Sequence, residues 1–157
     1  MSDRKLERGQ QWLETFMKLA NIPARVEGLY DGECYWLTIE PANLTSEGVS
    51  TLIGEGGRSI DAIQYLANSI LNMGRSEEDQ AAYTLELAGY RHQRQTELRS
   101  KAEEVAERVR TTGEEIEIAG LSAAERRQIH TFLKDCEDLE TYSRGQEPDR
   151  RLVVRRR

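Results

Sequence analysis

The chain has 157 residues, 38% of them hydrophobic and 32% charged, with 22 basic and 28 acidic side chains and a formal charge of −6. That length suits one ordinary domain or two small ones, and the composition is polar without being that of a disordered chain. The acidic balance argues against nucleic-acid binding driven by net charge. The charge is unevenly spread, however. Residues 1–90 carry 7 basic and 14 acidic side chains, residues 91–157 carry 15 and 14, and Arg150, Arg151, Arg155, Arg156 and Arg157 fall within the last eight positions. The two cysteines, Cys34 and Cys136, form no CxxC or Cys/His cluster, so neither a zinc site nor a disulfide framework is expected. No run approaches the roughly 18 apolar residues of a membrane span, and the N-terminus has no signal-peptide core. A reduced, soluble, cytoplasmic protein is expected.

In chain order, Asp3 to Ala20 places Leu6, Leu13, Phe16, Met17 and Ala20 at helical spacing, with Trp12 beside them, and Pro23 forbids continuation. Residues 24–30 alternate like a strand. A second strand, Cys34 to Glu40, sets Tyr35, Leu37 and Ile39 on one face. Asp31-Gly32 between them is a hairpin signal of type I′, a turn that needs positive φ at both central residues. Leu44 to Ile53 reads as a short helix. Ser59 to about Met73 reads as a better one, with Ile60, Ile63, Leu66, Ala67, Ile70 and Leu71 on one stripe. Tyr83, Leu85 and Leu87 alternate in a third strand.

From Tyr90 to Thr111, Leu98, Ala102, Val105 and Val109 form a narrow apolar seam on a long charged helix, with Gly113 as its stop. A domain boundary is expected at or within this connector, giving domains 1–89 and 90–157. Ile116 and Ile118 read as a short strand. Ser122-Ala-Ala-Glu125 is a capping box opening a helix that turns Ile129, Phe132 and Leu133 inward. Residues 139–143 and 151–156 read as two further strands joined through Gly145 to Pro148. The fold class expected is α+β, in two small domains.

Two constellations carry chemistry. The first is Gly54-Glu55-Gly56-Gly57, a G-x-x-G turn between two helices. It lacks the preceding strand and third glycine of a dinucleotide fingerprint, and the glycine and lysine of a P-loop. A G-x-x-G turn between helices is the turn that clamps a single-stranded nucleic-acid backbone in KH domains. Glycines let the sugar-phosphate approach, and the amides opening the next helix favour an anion. Ile53 and Ile60 flank the turn and are expected to wall an apolar base groove, with Arg58 beside it. The stretch Leu52 to Leu66 resembles the KH segment of the bacterial Jag (SpoIIIJ-associated) RNA-binding proteins, and the αββααβ order is that of a type II KH fold. In KH domains one of the two middle positions is commonly basic; here they are Glu55 and Gly56.

The second constellation is Arg126-Arg127-Gln128-Ile129-His130. Arg126 and His130, at i and i+4, share a helix face that Lys134 continues, and that line is expected to be open to a phosphate. The strand, the capped helix and the two following strands resemble the R-three-H domain, named for an Arg and a His separated by three residues. That domain binds single-stranded nucleic acid. Arg126 and His130 are the residues the resemblance assigns, with Arg127 as a neighbour. KH followed by R-three-H is the Jag order, and the separate N-terminal Jag domain found in many members of that family is not expected within these residues.

The resemblance implies a single-stranded RNA (or DNA) binder acting in RNA fate, associated in that family with cell shape and division. It also implies a small KH-domain protein as a partner. The arginine-rich end reads either as a solvated terminus or as a phosphate-binding edge. The rival class is a protein-interaction module whose acidic KH half binds RNA weakly or not at all. An enzyme is not expected. His92 sits on the polar connector, Cys136 has no orienting third group beside His130, and the carboxylates read as surface charge. No cofactor or metal is expected.

Overall fold

The computed structural model describes residues 2–157, and the chain divides after Arg91 into two units, each with its own sheet and core. In the first unit, α1 (Ser2–Leu19) fully buries Leu13 and Met17, while Trp12 and Phe16 stack at 5.4 Å on its flank. Strands β1 (Val26–Tyr30), β2 (Tyr35–Ile39) and β3 (Tyr83–Leu87) form a sheet of order β1-β2-β3. The β1–β2 pair is antiparallel and the β2–β3 pair parallel, with Leu37 opposite both Gly28 and Leu85. A parallel pair needs a crossover. Here it contains α2 (Ser46–Ile53), capped by the Thr45 hydroxyl, and α3 (Arg58–Asn72). The alternating residues Tyr35, Leu37, Ile39, Tyr83, Leu85 and Leu87 all face the core.

Two local expectations are corrected here. The β1–β2 connection is a four-residue loop, not a two-residue type I′ turn. Tyr30 pairs with Tyr35, and Gly32 alone in that loop has a positive φ, 104°. The Asp31 carboxylate explains the longer loop. It accepts hydrogen bonds from the Glu33 and Cys34 amides (2.9 and 2.8 Å) and from Trp36 Nε1 (2.7 Å), which organises the turn without a left-handed Asp.

On α3, Ile60, Ile63, Ala67 and Leu71 are buried, but Leu66 and Ile70 are 41% and 49% exposed. The expected stripe of six is wider than the face a helix can press on a sheet. What the helix adds instead is polar. The Asn68 amide exchanges two bonds with the Tyr83 backbone, Asn72 does so with Ala81, and Gln64 Oε1 accepts from the Leu85 amide. Residues 64, 68 and 72, four apart, thus satisfy the free edge of β3 as another strand would.

In the second unit, α4 (Tyr90–Thr112) begins two residues before the division and ends at Gly113, whose φ is 73°. Its seam of Leu98, Ala102, Val105 and Val109 is buried, joined by Ala106. Then follow β4 (Ile116–Ile118), α5 (Ala123–Leu133), β5 (Leu139–Arg144) and β6 (Arg151–Arg156), with antiparallel sheet order β4-β6-β5. The capping box is formed in full: Glu125 N donates to Ser122 Oγ (3.2 Å), and Ser122 N to Glu125 Oε2 (3.0 Å). Ile118, Ile129, Leu133, Leu139, Leu152 and Val154 make the core with the α4 seam, whereas Phe132, expected to turn inward with them, is only half-buried.

The opposite face of this sheet is a mosaic of charge. Arg144 binds Glu115 and Glu117, Arg151 binds Glu117, Arg155 pairs with Glu140, and Arg144 and Arg155 both lie over the Tyr142 ring. Arg156 and Arg157 donate to the carbonyls of Arg110 and Leu139. From Arg151 onward the arginine-rich end is therefore neither a solvated terminus nor a free basic edge. Leu152, Val153 and Val154 are buried in a central strand, and Arg151, Arg155, Arg156 and Arg157 already have partners, whereas Arg150, just ahead of the strand, is exposed.

Candidate nucleic-acid interface

Between α5, β5 and the β5–β6 connection of the second unit lies a cleft of about 500 Å³, lined by Arg126, Arg127, His130, Thr141, Glu147 and Arg150 among others. Arg127 and His130 are exposed, one turn apart on α5. His130 Nδ1 is in hydrogen-bond contact with Thr141 Oγ1, which holds the ring by that nitrogen. A smaller cavity of about 210 Å³ shares His130 and Thr141 and adds Lys134, Glu140 and Arg157. The open surface along α5 and β5 thus continues from Arg127 through His130 to Lys134. Around the larger cleft stand three arginines against one glutamate, so this face is locally cationic on an acidic chain.

Arg126 is not the free cation the sequence suggests. Its side chain is only 6% exposed. Nη1 donates to the carbonyls of Leu121 (2.7 Å) and Arg150 (3.3 Å), and Nη2 contacts the Glu147 carboxylate. The reason is helical phase. Arg126, Ile129 and Leu133, at i, i+3 and i+7, form the buried stripe of α5, so Arg126 lies at the end of the apolar face and its head forms the floor of the cleft. Glu125 is also buried: one oxygen completes the capping box and the other accepts from Arg94 Nε at 2.7 Å.

Sequence reasoning does not reach Thr141 and Glu147 as walls of this cleft, whereas Arg150 belongs to the arginine-rich end whose functional reading is a phosphate-binding edge. The period-2 pattern of β5, with Leu139, Thr141 and Ser143 on one face, carries a signal for Thr141. No local pattern marks Glu147.

In the first unit, the turn joins α2 to α3 through three glycines with positive φ: Gly54 (75°), Gly56 (61°) and Gly57 (80°). A Cβ on Gly54 would lie 2.7 Å from the Ser59 amide nitrogen, and one on Gly57 1.9 Å from Tyr90 Oη, whereas Gly56 faces open space. Glu55, Gly56 and Arg58 are exposed, and no side chain caps α3. The turn therefore offers one open backbone approach, at Gly56, beside the first amides of a helix. The expected apolar groove is not formed by both flanking residues. Ile60 is 1% exposed within the core, and Ile53 is half-buried against it. Asp61, one turn into α3, is paired with Arg91 at 2.5 Å.

Beyond the turn, α3 carries an outward apolar row of Tyr65, Leu66 and Ile70, continued by Met73 just past its end. Among the described residues no group of three or more His, Cys, Asp or Glu side chains is placed to hold a metal ion, and no helix is long and apolar enough to cross a membrane.

Residues 96–156, almost all of the second unit, match the R-three-H domain. Over 112 residues the chain is 30% identical to the RNA-binding protein KhpB of Clostridium symbiosum, covering 71% of this chain and 50% of that protein. It is 34% identical over 111 residues to KhpB of Lactiplantibacillus plantarum (70% and 33%) and 29% identical over 114 residues to KhpB of Bacillus subtilis (71% and 54%). The chain therefore spans between a third and about half of these relatives.

Proposed function

We propose that this chain, an R-three-H protein similar in sequence to KhpB of the Jag type, binds single-stranded RNA with the α5–β5 cleft as its principal contact surface. The observation that carries this reading is the cleft itself. Exposed Arg127 and His130 and the Arg150 position surround open space on a locally cationic wall. An arginine fork matches phosphate oxygens, and an imidazole held through Nδ1 presents Nε2 to a ligand.

The first domain, residues 1–89, acts in this proposal as a KH-like module, with the open backbone at Gly56 as a weaker second contact. Its excess of acid and Glu55 in the turn oppose phosphate, so its share rests on backbone amides and shape. Two weak sites on one chain raise each other's effective concentration. A cytoplasmic role in RNA fate, without catalysis, completes the reading.

A filter-binding salt titration tests it. Arg127→Ala with His130→Ala should weaken binding about tenfold and flatten the salt slope by about 0.7 for each phosphate that is no longer neutralised. Unchanged affinity and slope would refute the site. Arg126 is left out of this test because its burial mixes stability with binding. A second reading is favoured by the outward row of Tyr65, Leu66, Ile70 and Met73: the first domain docks a protein, such as a small KH-domain partner, through α3. In that case polar substitutions in the row abolish co-purification of the partner while RNA affinity of the isolated chain stays unchanged.

A further inference from the structure

Arg126 has a buried head and a removable counter-charge. Two of its three contacts are to carbonyl oxygens, which orient the guanidinium without neutralising it. The neutralising contact is with Glu147, on the connection between β5 and β6. Glu147 is itself 60% exposed and lines the same cleft as Arg127, His130 and Arg150. A buried cation requires a counter-charge. Here that charge stands on the solvent side of the pair, at the position from which an incoming anion would reach Nη2. Carboxylate and phosphate oxygens satisfy a guanidinium in the same way.

We propose that Glu147 is a specificity-determining residue that occupies the anion position at Arg126 and must be displaced by a nucleic-acid phosphate. The inference rests on the RNA-binding reading above. The chemistry it selects for is a strand. Glu147 is tethered, so its effective concentration at Arg126 is on the order of millimolar or more. A lone phosphate or mononucleotide making one contact cannot compete with it. A strand that also engages Arg127, His130 and Arg150 offsets the displacement by its further contacts. The protein would thus reject the small phosphate anions of a cell while admitting a polyphosphate backbone.

Fluorescence anisotropy of a labelled single-stranded RNA on the full chain tests this, with inorganic phosphate and a mononucleotide as competitors. Glu147→Gln keeps an oxygen beside Nη2 and removes the charge. It should tighten RNA binding about tenfold, the scale of one charge-assisted hydrogen bond. It should also make the complex sensitive to millimolar phosphate, which the wild type resists. Glu147→Ala is the second variant and should act in the same direction, with the thermal midpoint followed for both. RNA affinity unchanged or weakened in both variants overturns the inference. So does a drop in midpoint accompanied by abolished binding, since Glu147 is then only a structural partner of Arg126. If Arg127→Ala with His130→Ala still weakens the wild type in those cases, the RNA-binding reading stands alone. If neither that variant nor the Glu147 variants alter binding, the reading falls with the inference.

Discussion

Alanine substitution of the three glycines in the Gly54–Gly57 turn should produce a graded loss of stability whose order follows from the geometry. At Gly56 the φ of 61° is left-handed but the space beyond is open. Gly56→Ala therefore bears only the backbone term, about 1–2 kcal/mol. At Gly57 the same term is joined by a Cβ placed 1.9 Å from Tyr90 Oη. A side-chain ring can shift, at an overpacking cost of about 1–3 kcal/mol, for a total of about 2–5. At Gly54, with φ 75° and ψ 172°, the backbone lies in a region essentially restricted to glycine, and the obstacle is the Ser59 amide, 2.7 Å away. That nitrogen belongs to the first turn of α3 and cannot move without the helix, so Gly54→Ala should be the most damaging. The assay is urea unfolding followed by tryptophan fluorescence. The chain has two tryptophans, Trp12 and Trp36, and both lie in the first unit, so the signal reports that unit alone. A Gly56→Ala loss equal to that of Gly54→Ala, or a Gly54→Ala loss within about 0.5 kcal/mol of zero, would refute the reasoning.

Ser122→Ala removes the acceptor for the Glu125 amide and should lower stability by about 1 kcal/mol, seen as a lower thermal midpoint by circular dichroism; an unchanged midpoint would deny the capping box an energetic role. Asp31 should titrate below its ordinary 3.8, because its carboxylate accepts first from the Cys34 amide, then from the Glu33 amide and the Trp36 indole. Since the folded group is the stronger acid, its stabilising effect is present above 3.8 and is lost as pH falls through the folded value. Carboxyl-carbon NMR, with the Trp36 indole proton as a second reporter, checks this; a midpoint at or above 3.8 contradicts it.

The helices and strands were legible in the sequence because each depends on spacing within a few residues. Tyr35, Leu37 and Ile39 alternate, Leu98 to Val109 recur at helical intervals, and Ser122 with Glu125 announces a helix start. The glycine turn was legible for the same reason, since only glycine tolerates its backbone. Long side chains and their partners were not legible. Arg126 sits where helical phase buries it, but its charge is met by Glu147, 21 residues away on a loop with no periodicity. Ile60 belongs to the core because α3 packs flat on the sheet, and Gln64, Asn68 and Asn72 matter because β3 presents a free edge beside them.

The opening charge count divides in the same way. The sequence alone located the arginines in the last third of the chain. Tertiary structure decided which are neutralised by Glu115, Glu117 and Glu140, which are tied to backbone carbonyls, and which line the α5–β5 cleft. A charge's position along the chain is local information. Whether it is available depends on what the fold brings within hydrogen-bond reach.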